Sequence, residues 1–136
     1  MKKLLLFASI VLTLSCSSDD NSSSSNNSSS KITPPAWIQG TWVMEDVATY
    51  GYKFYTDDLC QIISSHENCM KEYINLYQGT NAVTNVSQQI SDTEYKCSIT
   101  VSAITNNFHF QKISPNVIKD VNMSNSTGRD ALFIKQ

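Results

Sequence analysis

The sequence predicts an all-β domain, a small antiparallel up-and-down barrel or sandwich, behind an N-terminal address and a polar tether. Three observations predict it. Apolar side chains recur with period two through most of the later chain, and turn-forming clusters interrupt these runs roughly every eight to twelve residues. The first thirty-five residues, by contrast, contain an isolated apolar run and then a stretch that no core can use.

The address comes first. Lys2 and Lys3 precede an apolar run at residues 4–14, which ends at Ser15 and Cys16. A charged start, a short apolar stretch and a small residue before a cleavage point make residues 1–15 a secretory signal. Eleven residues rise only ~16 Å as a helix, about half a hydrocarbon core, so the run is too short to anchor by spanning. Residues 17–30 are nine Ser, three Asn and two Asp. With nothing apolar to offset the entropy of ordering, residues 16–35 read as a disordered tether. A flexible coil of that kind reaches roughly 20 Å. Pro34 and Pro35 stiffen the chain just before Trp37 and Ile38.

The β domain then occupies residues 36–136. Gly40-Thr41-Trp42 opens its first strand, and Tyr50, Tyr52 and Phe54 alternate around Gly51 and Lys53. Only residues 58–64 or 68–77 have a helical reading, and the second serves nearly as well as a strand. Tyr95, Cys97, Ile99 and Val101 face one way while Glu94, Lys96, Ser98 and Thr100 face the other, the pattern of a half-buried antiparallel strand. Phe108 and Phe110 repeat it; Val117, Val121 and Met123 follow it more loosely, and Leu132 and Ile134 close the chain. Turn signals separate the runs at Asp57-Asp58, Gln78-Gly79-Thr80-Asn81, Ser91-Asp92-Thr93, Asn106-Asn107, Ser114-Pro115-Asn116 and Asn125-Ser126-Thr127-Gly128.

Composition excludes some functions. Removing residues 1–15 takes away two lysines and no acid, so the net charge falls from −2 to −4. A nucleic-acid binder needs the opposite balance. Three cysteines follow Cys16, and an exported chain meets an oxidising compartment, so one pair forms a disulfide and one thiol is left. Cys60 with Cys69 is the expected pair, because the polar residues between them suit a surface turn. Cys97 belongs to the apolar face of its strand and is expected to be packed and inert.

Two motifs resemble known families. Thr13-Leu14-Ser15-Cys16 resembles the lipobox of bacterial lipoproteins, in a relaxed form similar to that of Bacteroidetes, as does the following Cys16-Ser17-Ser18-Asp19-Asp20-Asn21. That resemblance implies a lipidated Cys16 and an outer-membrane lipoprotein, on the periplasmic or the cell-surface face. Gly40-Thr41-Trp42 resembles the Gly-x-Trp start of lipocalin-like proteins, and residues 51–58 and 108–113 are similar to strands of small bacterial lipocalin-like lipoproteins. The resemblance implies that Gly40 and Trp42 close one end of a barrel, with Arg129 packed over the tryptophan. It also implies a small hydrophobic ligand held between Tyr52, Phe54, Tyr95, Phe108 and Phe110.

No catalytic constellation accompanies these features. His66 and His109 are far apart in sequence, no second ligand pair completes a metal site around Cys69, and no Gly-x-Ser-x-Gly elbow presents a serine. Neighbouring carboxylates such as Glu45-Asp46 and Asp57-Asp58 point to opposite faces of a strand and are poorly placed to share a proton. The chain therefore reads as a non-enzyme that uses no cofactor and no metal. Its partners are the membrane, through the lipid anchor, and either a small hydrophobic ligand or an envelope protein. The alternative to ligand binding is a protein-interaction module, an inhibitor, immunity or surface-assembly factor with a filled barrel, that uses exposed tyrosines and its acidic rim.

Overall fold

The computed structural model describes residues 25–29, 31–82 and 84–136. The chain forms β1 (Ser25–Ser29), β2 (Gly40–Met44), β3 (Val47–Phe54), β4 (Leu59–Ile63), β5 (His66–Cys69), α1 (Met70–Leu76), β6 (Thr84–Ile90), β7 (Glu94–Val101), β8 (Ile104–Ser114), β9 (Val117–Asp120), α2 (Val121–Thr127) and β10 (Ala131–Lys135). All ten strands belong to one sheet in the order β1-β6-β7-β8-β9-β10-β2-β3-β4-β5. The pairings are antiparallel throughout. The fold is all-β, as the alternation predicted.

Two meanders make the sheet. One runs from β2 to β5 and the other from β6 to β10, and β10 returns to pair with β2, bringing the end of the domain back to its beginning. The sheet curls over its own apolar face into a half-barrel. Its wall is not closed by strand pairing, because β5 ends the order on one side and β6, covered by β1, stands at the other. We call this gap the seam.

Local chemistry explains the bends. The β4–β5 hairpin turns on Ser64 and Ser65, whose φ values of 50° and 72° give the doubly left-handed backbone that matches strand twist. Gly51 lies so close to β2 that a Cβ there would meet the Trp42 carbonyl oxygen at 2.3 Å, and beside it the pairing shifts register between Val43 and Met44.

Of the two stretches with a helical reading, residues 59–63 form a strand, β4, and residues 70–76 form the helix α1. Two expectations are corrected. Val121 and Met123 belong to a helix, not a strand: the Asp120 side chain accepts from the Met123 N–H at 2.9 Å and Gly128 ends the helix with φ 69°. Finally, part of the tether is ordered. Ser25–Ser29 pair along β6 through main-chain bonds, which a sheet edge offers to a chain of any composition. Just beyond, Ile32 is buried in the core, so the folded part starts ahead of residue 36.

Candidate functional site

The inner face of the half-barrel is built by period two. Tyr52 and Phe54 from β3, Tyr95 from β7 and Phe108 and Phe110 from β8 all point inward, and each is at most 8 % exposed. They meet one another. Tyr52 and Phe54 stand edge-on to Phe110 at 4.8 and 5.0 Å between ring centres, and Phe54 lies 6.3 Å from Tyr95. Phe108 stacks on Phe110 at 6.4 Å, and Phe133 from β10 reaches Tyr52 at 5.0 Å. Edge-on rings at these spacings are attractive contacts in their own right.

The polar tips of these rings are satisfied. Tyr52 donates to Asp120 at 2.7 Å and shares a hydrogen bond with Tyr50 at 3.0 Å. Tyr95 donates to the wholly buried Gln88 at 2.9 Å. Burial, reinforced for Tyr52 by the neighbouring Asp120, pushes both phenols far above the usual tyrosine range. Both stay neutral and neither is a candidate base.

Trp42 is fully buried near Gly40, with its indole N–H donated to the Ile38 carbonyl at 2.6 Å. The cation over its ring is Lys135, at 5.1 Å, and not Arg129. Register decides this: Lys135 is the cross-strand partner of Trp42, whereas Arg129 is exposed in the turn between α2 and β10.

The seam is filled by α1 and by a strap formed from residues 31–33. Gln88 of β6 holds the strap, accepting from the Thr33 N–H at 2.8 Å and donating to the Lys31 carbonyl at 3.0 Å. Ile32 from the strap and Met70 and Ile74 from α1 enter the same core. Two clefts flank the helix. One, of about 390 Å³, lies between strap and helix, lined by Lys31, Ile32, Asp57, Lys71 and Ile74 among others. The second, of about 330 Å³, runs along the other side of α1, where Cys69, Met70, Tyr73, Leu76, Glu67 and Asn106 line it.

Cys60 and Cys69 form the expected disulfide, directly opposite each other on β4 and β5. Cys97 is buried, and that burial pushes its thiol up to about 11, consistent with an inert packed residue. Beside the disulfide, the buried Asp58 carboxylate accepts from the Leu59 N–H at 2.8 Å and the Lys71 N–H at 2.9 Å, tying β4 to the start of α1. Asp58, Cys60 and Cys69 present ligand-type atoms within 4.8 Å of one another, but the disulfide removes the thiolate character that a metal requires. Asp57, one residue away, is exposed and paired with Lys71.

The histidines are not brought together. His66 sits exposed at the β4–β5 turn, and His109 lies on the outer face of β8 with Nε2 3.6 Å from Glu94. The lipidation residue, Cys16, and the signal lie outside the described residues. Among the described residues no helix is long and apolar enough to cross a membrane.

Sequence reasoning missed Gln88, Asp58, Asp120 and Lys135. Gln88 carried a signal, a polar residue on the face shared by Val86 and Ile90; Asp120 carried another, eight residues before Gly128. Comparison with protein-family models, with characterised proteins and with solved structures finds no match for this chain.

Proposed function

We propose that this chain is an outer-membrane lipoprotein, tethered through Cys16, whose β domain acts through its outer surface as a protein-interaction module. One observation carries the reading. The five aromatics that a lipocalin-like resemblance assigns to a ligand are in contact with one another, so the half-barrel uses them as its own core. The Cys60–Cys69 disulfide supports export, and the polar residues 17–24 ahead of β1 support a short link to a membrane. The surface keeps apolar side chains for contact: Leu76 on α1 is 71 % exposed and Ile104 on β8 is 59 % exposed.

A second reading has its own observation. The cleft between strap and α1, about 390 Å³, exceeds the ~300 Å³ at which small-molecule sites begin, so a small amphipathic ligand fits there rather than in the barrel centre.

Photo-crosslinking in cells tests the proposal. A crosslinker at Leu76 or Ile104 should give one adduct of defined mass that a crosslinker at Val47, on the other half of the sheet, does not give. Uncrosslinked monomer at all three positions would reject it. Fractionation tests the tether: Cys16→Ser should leave the detergent phase, and a processed Cys16→Ser chain that stays on the membrane would reject lipidation.

A further inference from the structure

The two sulfurs of the disulfide meet different surroundings. Cys60 is wholly buried, whereas Cys69 is half-exposed and lines the cleft shared with Tyr73 and Leu76. On the buried side, Oδ2 of Asp58 lies 4.0 Å from Cys60 Sγ. That carboxyl is only 8 % exposed, and its other oxygen is occupied by two backbone N–H groups, which aims the free oxygen at the sulfur. Exchange at a disulfide requires an attacking thiolate on the side away from the leaving sulfur, an accessible sulfur to attack and a means of stabilising the sulfur that leaves. The cleft gives the attacker room, Cys69 is the sulfur that lines it, and Asp58 stands beside the sulfur that leaves.

We propose that Cys60–Cys69 is an exchangeable disulfide that oxidises dithiols in apolar, extended segments of exported proteins. The partner segment seats an apolar side chain against Tyr73 and Leu76, with a basic residue beside the exposed Glu72. The partner's first thiol ionises and its thiolate attacks Cys69 Sγ. The partner–Cys69 bond forms, the Cys60–Cys69 bond breaks, and its electron pair stays on Cys60. Asp58, in its protonated form, gives Cys60 its proton. The partner's second thiolate then attacks the partner sulfur of the mixed disulfide, closing the partner's own disulfide and releasing Cys69. Two electrons pass from partner to protein, and of the two protons the partner lost to solvent one returns to Cys69 and one to Asp58. A low-molecular-weight disulfide of the compartment restores the oxidised form. Burial raises the Asp58 carboxyl above the ordinary carboxylate range, opposed by its two backbone hydrogen bonds. The exchange rests on the export reading of the proposed function and not on what the barrel interior does.

The test uses the intact oxidised protein in detergent, under native conditions, with a Lys-Leu-Cys peptide as the single-thiol probe. Mass spectrometry of acid-quenched samples should find the peptide on Cys69, none on Cys60 and none on Cys97. Asp58→Asn, which keeps an oxygen to accept from Leu59 and Lys71, should melt as a folded protein yet exchange at least about tenfold more slowly, as loss of a general acid predicts. Adduct on Cys60, or exchange that appears only when denaturant unfolds the domain, would overturn the proposal. So would an Asp58→Asn protein that exchanges at the native rate.

Discussion

The barrel interior and the seam solve the same problem, enclosing a core, by opposite means. In the interior, strand alternation alone places Tyr52, Phe54, Tyr95, Phe108 and Phe110 on one face, and ring-to-ring contact does the rest. At the seam no strand closes the wall. A short helix, a strap, one buried glutamine, one buried carboxylate and a disulfide hold the edges, and clefts remain on both sides of the helix. Leu76 lies exposed beside one of these clefts and offers a partner an apolar contact there.

Substitution separates the two regions most sharply. Phe110→Ala should cost ~3–5 kcal/mol, since it removes a fully buried ring that touches three others, while Leu76→Ala should stay within ~0.5 kcal/mol. Denaturant melts read both. A Leu76→Ala loss as large as that of Phe110→Ala would mean that the seam is core, not surface.

The disulfide comes next. Cys60 and Cys69 are nine residues apart, and a loop that short is worth ~2–3 kcal/mol through restriction of the unfolded chain. Replacing both by serine should lower the denaturation midpoint accordingly. An unchanged midpoint would show that α1 and Asp58 close the seam without it.

Asp58 gives a smaller, pH-dependent effect. Burial raises its folded-state pKa above the unfolded value, opposed by its two backbone hydrogen bonds, so the folded state holds the proton more tightly. Ionisation of this group therefore costs stability as pH climbs above the ordinary carboxyl range of about 4. Asparagine does not titrate, so the melting temperature of Asp58→Asn relative to the native protein should rise between acid and neutral pH. A constant difference would mean that Asp58 is not held in a desolvated site. The smallest effect is at the barrel end, where Lys135→Met should cost ~0.5–1 kcal/mol through the lost contact with Trp42 and Arg129→Met should cost nothing measurable.

The same contrast explains what the sequence disclosed. Residues 94–101 and 108–110 were legible because alternation depends only on neighbours in the chain, and Cys60–Cys69 was legible because its loop is short. The seam was not, because it is assembled from distant pieces. Gln88 binds Lys31 and Thr33 more than fifty residues away, and Asp58 caps a helix whose own first residues have no capping side chain. Lys135 took the place assigned to Arg129 because strand register, which no local pattern specifies, set it opposite Trp42.

The central claim is that the half-barrel is filled by its own aromatic side chains and acts from its surface. Native mass spectrometry of the intact protein taken from its own envelope, followed by solvent extraction, tests it most directly. The account predicts the mass of the lipidated chain with no stoichiometric small molecule in the extract. A hydrophobe present at one per chain, and lost from a Phe108→Leu protein that still melts as a folded domain, would contradict it.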